Sequence, residues 1–256
     1  MKLPGIAIRF LLVTILLGMF SPARADEPEP QPKPRDLGLP LVDNVKDLKQ
    51  LGKFAAWLDP KNKRVVLVGE TCKAGYALEF LITTKERAYE SVLVIDGRRH
   101  DPSETSVFQL IHASLLALGA NSGHPAYYKD EKTTVATGDQ VMIEVRWKDK
   151  DGKTQTADAR TWIRDMKTKK SPTVYWVFAG SQIRKDDEGR NHYLADGGDF
   201  VCVLNNPIAM LDLPIVSAGA IEDRSFEANV DAMPPPETPV TILITPKVAM
   251  KAVEKK

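Results

Sequence analysis

The chain has 256 residues, 43% of them apolar and 27% charged, a balance that excludes a fibrous or wholly disordered protein. Residues 1–25 hold Lys2, Arg9 and Arg24 and no acid, so the formal charge of +1 becomes −2 beyond them, with 32 basic residues facing 34 acidic ones. Neither value is the basic footprint that nucleic acid demands, and nucleic acid is not an expected partner.

The first element is a cationic start, Lys2 and Arg9, followed by the eleven-residue apolar run Phe10 to Phe20. A bilayer span takes about 20 such residues. The run therefore reads as a secretory signal, and Ala23-Arg24-Ala25 offers small residues where a signal peptidase reads, placing the cut after Ala25. A periplasmic or extracellular location follows as the expectation. No later run is apolar enough to span a membrane as a helix, so an integral membrane protein is not expected. In an oxidising compartment the two cysteines, Cys72 and Cys202, have two open readings: a disulfide or two buried thiols.

Residues 26–40 (DEPEPQPKPRDLGLP) form a Pro-rich tether that cannot pack a core. The folded domain is expected over 41–230, with a Pro-rich and Lys-rich tail over 231–256. Asn44 to Phe54 suits a short helix through Val45, Leu48 and Leu51. Arg64–Val68, ended by Gly69, is a β-branched strand. Tyr76–Thr84 follows, with Leu78, Phe80 and Ile82 on one face, and then Ser91–Ile95. The principal helix is expected after Asp101-Pro102-Ser103-Glu104, which has the order of a cap, a first-turn proline and an acid. Val107, Phe108, Ile111, Leu115 and Leu118 repeat at helical spacing up to Gly119. Val141, Ile143, Val145 and Trp147 alternate with polar neighbours, as in a sheet with one wet face. Lys150-Asp151-Gly152 turns this strand into a partner near Thr154–Ala159. Thr173–Ala179, Phe200–Leu204 and Thr241–Thr245 are further strands. The fold class expected is α+β: a sheet-rich single domain with one principal helix packed on an antiparallel or mixed sheet.

Several stretches, taken in order, resemble the YdjY-domain family, especially its planctomycete-type members. They are Ala56-Trp57-Leu58-Asp59 with Arg64 to Glu70; Gly75-Tyr76-Ala77-Leu78-Glu79-Phe80; Tyr89-Glu90-Ser91-Val92-Leu93; and the helix Ile111 to Ala120 with Gly123 and Pro125. Trp176 to Ser181 and Tyr193-Leu194-Ala195-Asp196 extend the likeness, which spans roughly residues 54–215, a domain-sized stretch. Tyr89 departs from the pattern, since members commonly carry His there. The resemblance implies an exported or envelope protein and brings no activity with it.

Three sets of residues bear on chemistry. Glu90, Ser91 and His112 are the polar set a hydrolase would use, with serine attacking, histidine accepting its proton and glutamate orienting the imidazole. No G-x-S-x-G elbow surrounds Ser91, and the alternative is a structural polar pair. The imidazoles His100, His112, His124 and His192 lack the close spacing of a zinc motif, so no metal or other cofactor is expected. Asp196-Gly197-Gly198-Asp199 lacks the calcium-loop pattern and reads as a turn. The leading expectation is an exported cell-envelope protein acting as a non-catalytic binding or structural module, with an envelope partner or small ligand. A hydrolase built on Ser91, His112 and Glu90 and a metal-binding protein are the rivals.

Overall fold

The long apolar and β-branched runs pair as strands because each has one face to bury and a full set of backbone donors to satisfy. The computed structural model describes residues 35–72, 77–97, 103–130, 132–217 and 226–247, all within one compact unit that begins at Arg35. The segment read as a signal, the stretch read as a tether through Pro34, Gly75-Tyr76, His100, Asp101-Pro102 and the Lys-rich end from residue 248 lie outside the described residues.

In chain order the first elements are β1 (Lys49–Gln50), β2 (Ala56–Asp59), β3 (Arg64–Thr71), β4 (Phe80–Thr84), β5 (Ser91–Ile95) and the helix α1 (Val107–Ala117). There follow β6 (Tyr127–Lys129), β7 (Lys132–Thr134), β8 (Gln140–Lys148), β9 (Thr154–Asp158), β10 (Ile163–Asp165) and β11 (Trp176–Phe178). The last are β12 (Ile183–Lys185), β13 (Asn191–Tyr193), β14 (Val201–Cys202), β15 (Leu211–Asp212), β16 (Phe226–Ala228) and β17 (Pro239–Pro246).

Eight of these strands close on themselves in the order β3-β17-β8-β11-β15-β14-β4-β5, with β5 pairing back onto β3. All neighbours are antiparallel except β4–β5 and β14–β15, which are parallel. The expected α+β sheet covered by a helix is therefore corrected to a mainly β fold, a closed eight-stranded barrel. An alternating strand buries one face equally well against a covering helix or against the far wall of a barrel, so alternation alone did not distinguish them. The helix lays Val107, Phe108, Ile111 and Leu115 into the same apolar cluster that fills the barrel, beside Val65, Ile143, Trp176 and Ile242.

Along β8, Val141, Ile143 and Val145 are buried while Met142, Glu144 and Arg146 are partly exposed, as the alternation predicts. Other local readings change. Asn44–Phe54 is not a helix; only Val45–Asp47 turns, in a single 3-10 turn, before β1 begins. Phe80 does not share a cluster with Leu78 and Ile82 but sits apart with Cys202 and Ala209. The expected tail from residue 231 is also corrected: β17 is a stave of the barrel, paired with β3 from Pro239–Glu70 to Ile244–Val65 and with β8 on its other side. The end of the tether packs as well. Arg35 pairs with Glu70 at 3.3 Å, and the Leu41 amide donates to the Thr241 hydroxyl at 2.7 Å.

Cys72 and Cys202 are both free and buried. The barrel order explains it: Cys72 follows β3, Cys202 lies in β14, and β5 and β4 stand between them. Three strand spacings amount to roughly 14 Å, beyond the ~7 Å Cα separation that a disulfide spans. Burial pushes the Cys72 thiol up to about 12 and the Cys202 thiol well above its ordinary value, which makes both poor nucleophiles.

The helix begins later than its expected cap. Ser106 is the N-cap; its hydroxyl accepts from the Gln109 amide at 3.1 Å and donates to the Asp196 carboxylate. Ser106→Ala removes both bonds at a buried position and should cost about 1–2 kcal/mol in urea unfolding. A change within a few tenths of a kcal/mol would mean that the cap is dispensable.

Candidate functional site

Gln109, His112, Ala113 and Leu116 recur at i, i+3, i+4 and i+7, so they share one face of α1 beside its buried stripe. Opposite them stands the hairpin β12–β13, with Ile183 paired to Tyr193 and Lys185 to Asn191. Asp186 fixes its turn: the carboxylate accepts from the Arg190 amide at 2.8 Å and contacts His192 Nε2 at 2.7 Å. The hydrogen bond to His192 holds the Asp186 acid far below the usual carboxylate range. Because side chains alternate along a strand, Ile183, Asn191 and Tyr193 share one face of the hairpin. Between helix and hairpin lies a groove of about 310 Å³ lined by these seven residues.

At its base, His112 Nδ1 lies 2.9 Å from the Tyr193 hydroxyl, which in turn donates to the Gly180 carbonyl at 3.2 Å. The phenol has one proton. With that proton on the Gly180 carbonyl, its oxygen accepts from His112 Nδ1–H, and His112 Nε2 is left as a bare acceptor. The imidazole is wedged edge-on against Phe178, ring centroids 4.9 Å apart. Burial lowers the His112 pKa and raises that of Tyr193, so the pair is neutral near pH 7. Gly180 makes the arrangement possible: at φ +88° its missing Cβ would stand 2.8 Å from Ser122 Cβ. Asp196 ties the groove to the scaffold, accepting from Gln109 Nε2 at 2.8 Å as well as from Ser106.

The structure does not gather the hydrolase set. Ser91 is 0% exposed, and its hydroxyl is committed to the Leu93 carbonyl at 2.8 Å and the Leu81 carbonyl at 3.3 Å. The one hydrogen bond of the His112 ring goes to Tyr193, not to Ser91. Glu90 ends the segment Lys85–Glu90, and its carbonyl accepts from the Glu79 amide. Among the other imidazoles, His124 Nδ1 faces the Pro125 carbonyl at 2.9 Å, and His192 pairs with Asp186. Among the described residues no three His, Cys, Asp or Glu side chains gather as a metal site would require. Asp196 and Asp199 do not converge on a cation. Asp196 clasps the helix start, and Asp199 binds Arg87 at 2.9 Å and the Asn206 side chain at 2.7 Å.

Of the groove residues, sequence reasoning singled out only His112. Tyr193 was visible as part of a family-like stretch, and the spacing 109-112-113-116 is a helix-face signal that would have found the other three helical members. The hairpin that completes the groove had no such mark.

Fold and site together define a closed β-barrel carrying an uncharged, ligand-sized recess on its outer helix. The chain belongs to the YdjY-domain family, whose model matches residues 104–245. That span contains α1 and the hairpin β12–β13, and hence every groove residue, and all of β17 but Pro246. It starts later and runs further than the stretch 54–215 on which the likeness was read. No curated protein and no solved structure matches the chain. Among the described residues no helix is long and apolar enough to cross a membrane.

Proposed function

We propose that this YdjY-domain protein is exported to the cell envelope and acts there by binding, with the groove between α1 and β12–β13 as its ligand site. One observation carries the binding reading: the recess offers a free imidazole acceptor and apolar walls, while Ser91, the serine of the hydrolase set, is sealed in β5. Export is supported by Lys2, Arg9, the short apolar run and Ala23-Arg24-Ala25.

Mass spectrometry of the native protein from an envelope fraction tests the first part. A chain beginning at Asp26 is expected, and a full-length chain from Met1 in the cytosol would overturn export. Incubation of the mature protein with a fluorophosphonate probe tests the second part. No adduct is expected, and labelling that disappears in Ser91→Ala would replace binding with catalysis.

A further inference from the structure

We infer that the His112 groove takes an uncharged ligand with an apolar, ring-sized body and one N–H or O–H donor directed at His112 Nε2. The inference rests on the binding reading above and adds the ligand's chemical class. Three observations carry it.

The first is the direction of the hydrogen-bond chain. The Gly180 carbonyl can only accept, and the Tyr193 hydroxyl has a single proton, so both contacts are satisfied together only when Nδ1 carries the imidazole proton. Nε2 then has a lone pair and makes no hydrogen bond to the protein, on a side chain that lines the groove. A ligand donor meets this need, whereas a carboxylate or carbonyl at the same place would face lone pair against lone pair.

The second observation is charge. None of the lining residues is ionised, since burial keeps His112 and Tyr193 neutral. A charged ligand would give up hydration here with no opposite charge to replace it. The third is the wall: Leu116 of the helix and Ile183 of the hairpin both line the groove, 47% and 69% exposed. They give an aromatic or aliphatic ring two apolar surfaces. The volume, about 310 Å³, sits at the small end of ligand sites, which suits a compact molecule.

Two isomeric probes separate the parts of this inference. 3-Methylindole keeps the indole N–H; 1-methylindole has the same atoms and no donor. Titration calorimetry on the mature protein should find 3-methylindole bound about tenfold more tightly, the worth of one hydrogen bond of about 1.4 kcal/mol. In His112→Phe, which keeps a ring against Phe178 and removes the acceptor, the two isomers should bind alike. Nitrogen NMR of the unaltered protein gives a reading that needs no variant. His112 Nε2 should show an unprotonated, pyridine-type signal that moves with 3-methylindole and stays put with 1-methylindole. Equal affinity of the isomers for the unaltered protein would overturn the donor assignment while leaving the groove as a site. Failure of both to bind would remove the groove itself. A protonated Nε2 at pH 7 would overturn the proton chain from Nδ1 to Gly180.

Discussion

Asp212→Asn should make the protein more stable at pH 8 than the unaltered chain, by on the order of 3–5 kcal/mol. Asp212 lies in β15 and is 0% exposed; one carboxyl oxygen accepts from the Asn206 amide at 3.3 Å, and Oδ1 has no partner. Burial pushes its pKa up from 3.8 to about 8, against a smaller opposing effect of the Asn206 and Leu213 amides. Its neighbours do not compensate the charge. Cys202 stands opposite it in the parallel register with β14, Val177 opposite it in β11, and Tyr128 has its own pKa raised, first by burial and then by Asp212. The sign follows from proton binding. Below about pH 4 the acid is protonated in both folded and unfolded chains, and its contribution is fully present. Between about pH 4 and 8 only the folded chain keeps the proton, so stability falls by up to about 1.4 kcal/mol per pH unit. Above about pH 8 both states are ionised and the difference levels off. Urea unfolding of both proteins from pH 4 to 9 should therefore give two curves that separate with rising pH and then run parallel. Curves that stay parallel throughout would mean that water or an unrecognised donor already solvates Oδ1.

Gly69→Ala should destabilise the barrel by about 2–4 kcal/mol, lowering Tm by roughly 5–15 °C. At Gly69, β3 changes partners: Arg64–Leu67 pair with β2, and Glu70–Thr71 pair with β5. An added Cβ would come within 2.4 Å of the Val94 carbonyl and 3.1 Å of Ile95 Cγ2. Both contacts belong to β5, so the methyl group can be accommodated only by prising open the β3–β5 seam that closes the sheet. Gly152→Ala is the control. That glycine sits in an open turn at φ +74° with nothing near its Cβ position, so only backbone strain of about 1 kcal/mol is expected. Equal losses from the two variants would show that the seam yields freely and that closure at Gly69 does not depend on the absent side chain.

The limits of the sequence reading show in particular residues. Ser91–Ile95 and the alternation of Val141, Ile143 and Val145 were legible because they are local: a short continuous apolar run marks a strand buried on both faces, and period two specifies which face of β8 is wet. The helical stripe from Val107 to Leu115 was legible for the same reason, while its cap was misplaced because Ser106 acts through Asp196, ninety positions away. Strand partners are a different matter. Nothing in Thr241–Thr245 says that it lies between β3 and β8, and the nearby prolines and lysines read as a tail until the pairing is seen.

By itself, then, the sequence determined the buried and wet faces of β8, the buried stripe of its one α-helix among the described residues, and membership of a family. Closure of the sheet, the separation of Cys72 from Cys202, the burial of Ser91 and the meeting of His112 with Tyr193 across 81 positions were decided only in three dimensions. The physical reason is that side-chain periodicity records how an element meets apolar surroundings but not which element supplies them. Partners are chosen by hydrogen-bond pairing and close packing among segments far apart in the chain, as where Gly69 admits the Val94 carbonyl and Gly180 offers its own to Tyr193.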